Sequence, residues 1–289
     1  MALLHCASNR YFSMHPKSRI LCFICFFIAV QLQAQYYYND IILQQYNTSS
    51  HALLVSNNTN TISAKSYNEH QDLIEGFSYQ KEIRKKGLEV YTTTEMPAAG
   101  KSYTWEYFTG NLLQKAIDST AKVKTTTAFT YAQNNMPTSI QISYDDAAMN
   151  IQATEQHLWT YTENIPAAMY RIKDRSDTMY VQFKVEQGKV MEEIWLRNGR
   201  EAERYYYYYN EQNQLSDIVR YNVLAQRLLP DFTFDYNSTG SIALMRQTVT
   251  GGTNYNAWVY TYNENGLKQT EKLFSKENNL LGTIIYTYQ

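Results

Sequence analysis

The sequence predicts an all-β protein: a long antiparallel meander of about eight or nine hairpin-like repeats, preceded by a short N-terminal helix. Three observations carry that reading. First, an aromatic-x-Tyr core recurs at a nearly fixed step: Phe77-Ser-Tyr79, Trp105-Glu-Tyr107, Phe129-Thr-Tyr131, Trp159-Thr-Tyr161, Tyr207-Tyr-Tyr209, Phe234-Asp-Tyr236, Tyr260-Thr-Tyr262 and Tyr286-Thr-Tyr288. Phe183-Lys-Val185 fills the one missing place in degraded form, and Tyr236, Tyr262 and Tyr288 stand 26 residues apart. Periods of this size mark repeat architectures. Second, side chains alternate with period two around each core, as in half-buried strands. Third, polar turn residues that tolerate positive φ follow, as in Asn263-Glu-Asn-Gly266.

Residues 1–34 read as a secretory signal peptide. Arg10, Lys17 and Arg19 form a basic start, Ile20 to Val30 is an apolar run of 11, and Ala34 supplies the small residue before a cut ahead of Gln35. The run is too short to span a bilayer, and Met14 is an alternative start. Cys22 and Cys25 follow Leu21 and Ile24 rather than small residues, so an acylated lipoprotein is not read. All three cysteines (Cys6, Cys22, Cys25) fall in this segment, so the mature chain has no disulfide to lean on.

Residues 35–60 form a cap and loop. Asn39 or Asp40 can cap a helix over roughly Asp40 to Leu54, with Ile42, Tyr46 and Leu53 near one face, and Ser56 to Asn60 is loop by composition. This helix is expected to lie over the first strand and cover its open edge.

Residues 61–289 are the tyrosine-rich repeat domain, beginning with the alternating stretch Thr61 to Tyr67. Aligning the repeats puts Phe77, Tyr79, Tyr103, Trp105, Tyr107, Phe129, Tyr131, Trp159, Tyr161, Val181, Phe183, Val185, Tyr205, Tyr207, Tyr209, Phe232, Phe234 and Tyr236 on one face. Ser78, Thr104, Glu106, Thr130, Thr160, Lys184 and Asp235 take the other. The first face is the expected core. Tyrosine, at 27 against 11 phenylalanines, suits sites dry at one end and polar at the other. That favours a shallow core under a curled single sheet, or stacked hairpins whose neighbouring strands satisfy the hydroxyls.

The units Tyr207 to Ser216, Phe234 to Ile242 and Tyr260 to Leu267 resemble YD repeats, the tyrosine-rich hairpins of RHS-like secreted proteins. The usual Tyr-Asp is mostly Tyr-Asn here (Tyr209-Asn210, Tyr236-Asn237, Tyr262-Asn263), with Tyr144-Asp145 off the main step. The whole chain is similar to short exported proteins with divergent repeats of this kind, common in Bacteroidota. The resemblance implies a YD-type β-solenoid. Long members wrap a toxin in a β-shell and self-cleave at an Asp-Pro motif. This chain has no Asp-Pro, so that role does not carry over.

The chemistry in the sequence is sparse. His51, His70 and His157 are isolated, no metal or cofactor motif appears, and Asp145-Asp146 and Arg84-Lys85-Lys86 read as solvated turns. Glu192, Glu193 and Asp217 could pose as a glycosidase pair only by accident of folding. Three of the 26 basic residues and none of the 27 acidic ones lie in residues 1–34, leaving a mature net charge of −4, which argues against nucleic acid.

The expected function is therefore a non-catalytic binding or structural module, exported to the periplasm, cell surface or medium, with a protein or glycan partner. The alternatives are an outer-membrane β-barrel, or an enzyme whose site is assembled across repeats. The return strand Leu267 to Leu273 shows no apolar lipid-facing side, which counts against the membrane barrel. Two surfaces stand out. Tyr206 and Tyr208 fall on the otherwise polar face and could form an aromatic platform. The uncharged last strand, with Thr283, Ile285 and Thr287, could be a docking edge for self-association or for a partner strand.

Overall fold

A computed structural model describes residues 36–222, 225–249 and 254–289; the signal peptide expected over residues 1–34 lies outside them. The helix α1 (Asn39–Ser56) comes first. Strands follow as β1 (Thr61–Tyr67), β2 (Ser78–Arg84), β3 (Glu89–Met96), β4 (Gly100–Thr109), β5 (Leu112–Ser119), β6 (Val123–Tyr131), β7 (Pro137–Asp146), β8 (Ile151–Thr162) and β9 (Ile165–Lys173). The chain continues with β10 (Asp177–Glu186), β11 (Lys189–Arg197), β12 (Arg200–Tyr209), β13 (Leu215–Asn222), β14 (Arg227–Tyr236), β15 (Ile242–Thr248), β16 (Tyr255–Tyr262), β17 (Lys268–Ser275) and β18 (Leu280–Tyr288).

Each strand pairs antiparallel with the next, and β18 returns to pair with β1, from Ile62 opposite Tyr288 to Tyr67 opposite Thr283. The meander is as expected, but it closes into an 18-stranded barrel rather than a curled open sheet or a solenoid. Closure leaves no unpaired edge. The docking-edge expectation is corrected accordingly. Thr283, Ile285 and Thr287 pair with Tyr67, Lys65 and Ser63 on one side, and Ile285 and Thr283 pair with Thr270 and Lys272 on the other. Self-association through that strand has no free backbone to use.

The repeat has a definite geometry. A register shift falls just before the second aromatic, at Thr130/Tyr131, Thr160/Tyr161, Tyr208/Tyr209, Asp235/Tyr236 and Thr261/Tyr262, and at Lys184/Val185 in the degraded unit. The return strand carries one unmatched residue there, such as Thr138 between the partners of Thr130 and Tyr131: a β-bulge. The bulge ends the ladder on the return strand's far side early. The β15–β16 ladder stops at Leu244 opposite Val259, and the Ile242 carbonyl beyond it takes the Tyr262 hydroxyl at 2.8 Å.

The same bond recurs around the barrel. Tyr131 donates to Leu113 O (2.5 Å), Tyr161 to Pro137 O (2.6 Å), Tyr209 to Val190 O (3.0 Å), Tyr236 to Leu215 O (2.7 Å) and Tyr288 to Lys268 O (2.6 Å). In every case the acceptor is the residue paired with the preceding unit's bulge position. This explains why tyrosine rather than phenylalanine fills the second place in these six units.

The Asn after Tyr has an equally local cause. Asn210, Asn237 and Asn263 each accept, through the side-chain oxygen, the amide four residues on, and the left-handed position of each turn is Asn213, Gly240 or Gly266.

One unit departs from the expected alignment. In β4 the shift lies between Tyr107 and Phe108, so the repeat is Glu106-Tyr107-Phe108 and not Trp105-Glu106-Tyr107. Directly paired residues share a face. Glu106 pairs with Val90 and faces inward, while Trp105 pairs with Tyr91 and faces out beside Tyr103. Tyr103, Trp105 and Tyr107 therefore leave the expected core. Val185, at the end of its strand, is also exposed. The rest of the aromatic stripe that burial identifies lines the inside, with Trp159, Val181, Phe183, Tyr205, Tyr207 and Phe232 in the largest cluster.

The helix does not cap an edge. It enters the barrel: Tyr36 packs on Tyr205, Tyr207 and Phe232 of one wall, while Leu54 reaches Ile62 and Leu267 on another. Its first turn follows Tyr38 with no side-chain cap, and its buried face is Ile41, Gln44, His51 and Leu54 instead of the expected Ile42, Tyr46 and Leu53.

If the hydroxyl tether matters, Tyr262→Phe should keep the fold and lose about 1 kcal/mol, the net scale of one hydrogen bond, whereas Thr261→Ala, on the outer face, should change stability by well under that. Chemical denaturation of the two variants measures the difference.

Candidate functional site

The inside of the barrel holds the polar groups that the fold positions most exactingly. Glu193 on β11 is wholly buried, and its carboxylate accepts four bonds: Tyr37 N (2.6 Å), Tyr38 N (2.9 Å), Trp195 Nε1 (2.6 Å) and Tyr207 hydroxyl (2.6 Å). Two of these donors are the amides that lead into α1, so the carboxylate fastens the N-terminal segment to the wall. Burial pushes the Glu193 carboxyl up to about 6, against the opposing pull of the hydrogen bonds from Tyr207, Tyr38, Trp195 and Tyr37.

A second tie lies one turn on. Asp40 accepts from His157 Nδ1 (2.6 Å) and Trp159 Nε1 (3.2 Å); His157 Nε2 meets Glu155 (2.9 Å), and Arg171 bridges Glu155 and Asp177. Burial by itself would depress the His157 imidazolium, but the charge of Asp40 and the bonds to Asp40 and Glu155 outweigh it and lift the group to about 9. Glu155, despite burial, is held down at about 2 by its bonds from His157 and Arg171. At its other end the helix is fixed by His51, which bonds Gly87 O (2.8 Å) and Asn111 (3.1 Å) and stacks on Phe108 with ring centres 3.8 Å apart. Gly87 allows this approach: a Cβ there would sit 2.7 Å from Val55 Cγ2.

Between these anchors the helix leaves part of the lumen open. A cavity of about 570 Å³ lies between its second half (Tyr46, Asn47, Ser50) and a wall carrying Tyr79, Tyr286 and the Lys81–Glu106 pair at 3.1 Å. Lys268, on the same wall, pairs with buried Glu271 at 3.1 Å and lies over the Tyr260 ring.

The singled-out residues fall apart in space. Glu193 faces inward while Glu192 faces out and pairs with Lys184 and Arg204. Asp217 is opposite Tyr208 on the outside, so no carboxylate pair forms. Tyr206 and Tyr208 are on the outer face as the alternation requires, opposite Val219 and Asp217, with Tyr208 45 % exposed. Among the described residues no group of His, Cys, Asp and Glu could hold a metal ion. His157 and His51 matter as anchors of the helix, a role the sequence did not signal because Asp40 and Gly87 lie far away along the chain.

No family model and no curated protein matches the chain. Among solved structures, it is similar to a porin-like protein from Bacteroides uniformis (11 % identity, 80 % of this chain and 98 % of that one, TM-score 0.38). It also matches a porin-like protein from Bacteroides vulgatus (10 % identity, 80 % and 98 %, TM-score 0.30) and the Photorhabdus luminescens Tc holotoxin pore (10 % identity, 74 % and 16 %, TM-score 0.23). The resemblance to RHS-like YD-repeat proteins is corrected: no family model supports it, and the hairpins close into one barrel of 18 strands. Of the readings weighed from the sequence, the fold supports the barrel alternative over the open-sheet module.

The buried ties make stability depend on pH. His157 has its folded value raised above the ordinary 6.5, so its contribution is full below pH 6.5 and is lost as pH rises through 9. Glu193, also raised, favours the fold at low pH and withdraws that support as pH rises from 4.5 through 6. The urea midpoint should therefore fall between pH 6.5 and 9, and His157→Asn should be less stable at neutral pH with that slope flattened. Glu193→Gln should cost about 2–4 kcal/mol, because an amide cannot accept from four donors.

Proposed function

We propose that this chain is an exported, non-catalytic β-barrel of the outer cell envelope whose lumen is closed by its own N-terminal helix. The observation that carries the reading is the continuous ring of pairing with α1 tied to opposite walls by Glu193, Asp40 and His51. A lumen filled this way does not conduct while the ties hold, so the barrel serves as a scaffold and binding body rather than as an open pore. Tyr206 and Tyr208 on the outer face are its proposed contact for a protein or glycan partner.

What surrounds the wall is a separate matter, and the outward side chains favour water. Lys65, Lys184, Glu192, Arg204, Arg246 and Lys272 stand on the outer face, and β7 presents Ser139, Gln141, Ser143 and Asp145 there. A lipid-facing band is apolar on every strand, and an Arg or Lys at the bilayer midplane costs roughly 2–4 kcal/mol. Aromatic side chains also face outward, in the row Tyr91, Tyr103, Trp105 on β3 and β4, in the Tyr170–Tyr180 pair on β9 and β10, and at Tyr206 and Tyr208 on β12, but these charges interrupt them.

Cell fractionation tests the reading. The mature protein should leave the envelope with osmotic shock or salt, and when added to planar bilayers it should give no steady conductance. Recovery from the outer membrane only with detergent would instead place the wall in lipid, and stable conductance steps would mean the helix does not close the lumen.

A further inference from the structure

The luminal cavity is not explained by the closure of the barrel. In the opposite half of the lumen the N-terminal segment fills the space around Tyr36 and Ile41, and the charged groups there, Glu193 and His157, bond to that segment. Here the space is left open, and the wall combines aromatic rings with ion pairs that form within the wall itself. Tyr79 and Tyr286 meet edge to face at 6.3 Å, and beside them Lys81 and Glu106, each about one-fifth exposed, bond at 3.1 Å. Lys268, also about one-fifth exposed, bonds Glu271 at the same distance. From the helix side come Asn47, Ser50 and Tyr46, and Tyr46 is half exposed, so solvent reaches the cavity.

We propose that this cavity is a binding site for a small neutral saccharide of one or two rings. Its volume, about 570 Å³, lies in the range of small-molecule sites. The two lysines and two glutamates balance, so the wall selects neither an anion nor a cation. An apolar ligand would strand Lys81 and Glu106 out of water with no new partner, a penalty of the kind that buried charges incur when desolvated. A sugar meets both demands. Its C–H faces lie on tyrosine rings, and its hydroxyls accept from Lys81 and donate to Glu106, while Asn47 and Ser50 do both. The inference does not depend on whether water or lipid surrounds the outer wall.

The test is saturation-transfer NMR and calorimetry on the mature chain with glucose, maltose, cellobiose, N-acetylglucosamine and its β-1,4 disaccharide. Benzoate, choline and indole serve as anionic, cationic and apolar probes. At least one saccharide should bind, and more tightly than all three controls. The double variant Lys81→Met/Glu106→Leu, which removes both charges together and so leaves none unpaired, should weaken it at least tenfold with little change in melting temperature. Asn47→Leu, which leaves both wall ion pairs intact, should weaken it several-fold, and keeps the test decisive if the double variant unfolds. The outer-wall change Lys272→Met should leave affinity unchanged. The proposal is overturned if no saccharide binds, if a control binds more tightly, or if a saccharide binds with the same affinity to Asn47→Leu and to every folded luminal variant.

Discussion

A tyrosine hydroxyl capping a carbonyl that a bulge has turned out of the ladder is the interaction on which this barrel is built. Seven hairpins, from β4–β5 to β16–β17, carry one extra residue on the return strand, and without compensation they would leave a series of half-buried acceptors unpaired. The next unit's tyrosine reaches back about twenty residues and supplies the donor. The bond joins neighbouring repeats, not residues within one, so it also sets the distance between units. Bulges bend and twist the strands they interrupt, and repeating one over seven successive hairpins gives the meander a consistent curvature. Two units, Phe183-Lys-Val185 and Glu106-Tyr107-Phe108, keep the bulge but have no hydroxyl to give at its position.

Curvature repeated over 18 strands brings β18 within pairing reach of β1. Closure then removes the exposed edges that an open sheet of this length would present to other chains. It also divides the side chains into two populations that meet different demands. The inward stripe is aromatic and is satisfied by packing, while the outward positions mix threonine, serine, glutamine and paired charges, such as Arg246 with Asp235 and Arg204 with Glu192, with tyrosines such as Tyr170 and Tyr208.

A ring of this many strands encloses more space than its own side chains fill. The N-terminal segment fills half of it. Three consecutive tyrosines and Ile41 complete the core beside Trp159, Val181, Trp195 and Tyr207, and the buried carboxylate of Glu193 holds their backbone in place. The carboxylate is costly to bury and is tolerated because each of its oxygens has two donors; its value is positional, in specifying where the segment enters. Both halves carry buried charge, but in the filled half Glu193 and His157 are engaged by the N-terminal segment, whereas in the other half Lys81 and Glu106 pair with each other beside open space, and that difference marks the cavity as a site.

The strand-turn-strand grammar, the turn asparagines and most of the core stripe were determined by the sequence alone, because period-two alternation and turn chemistry act over a few residues. Tyr206 and Tyr208 were correctly placed on the outer face for the same reason. The shift of one residue at Glu106-Tyr107-Phe108 was not legible, since Trp105 and Tyr107 mimic the repeat and only the bulge position reveals the true frame. Closure, the fate of Thr283, Ile285 and Thr287, and the entry of α1 into the lumen were decided by tertiary structure. They depend on pairings such as Tyr288 with Ile62 and Tyr37 with Glu193, which join residues more than 150 positions apart and leave no periodic trace in the chain. An open meander and a closed one have the same local pattern; only the accumulated bend of every hairpin determines whether the ends meet.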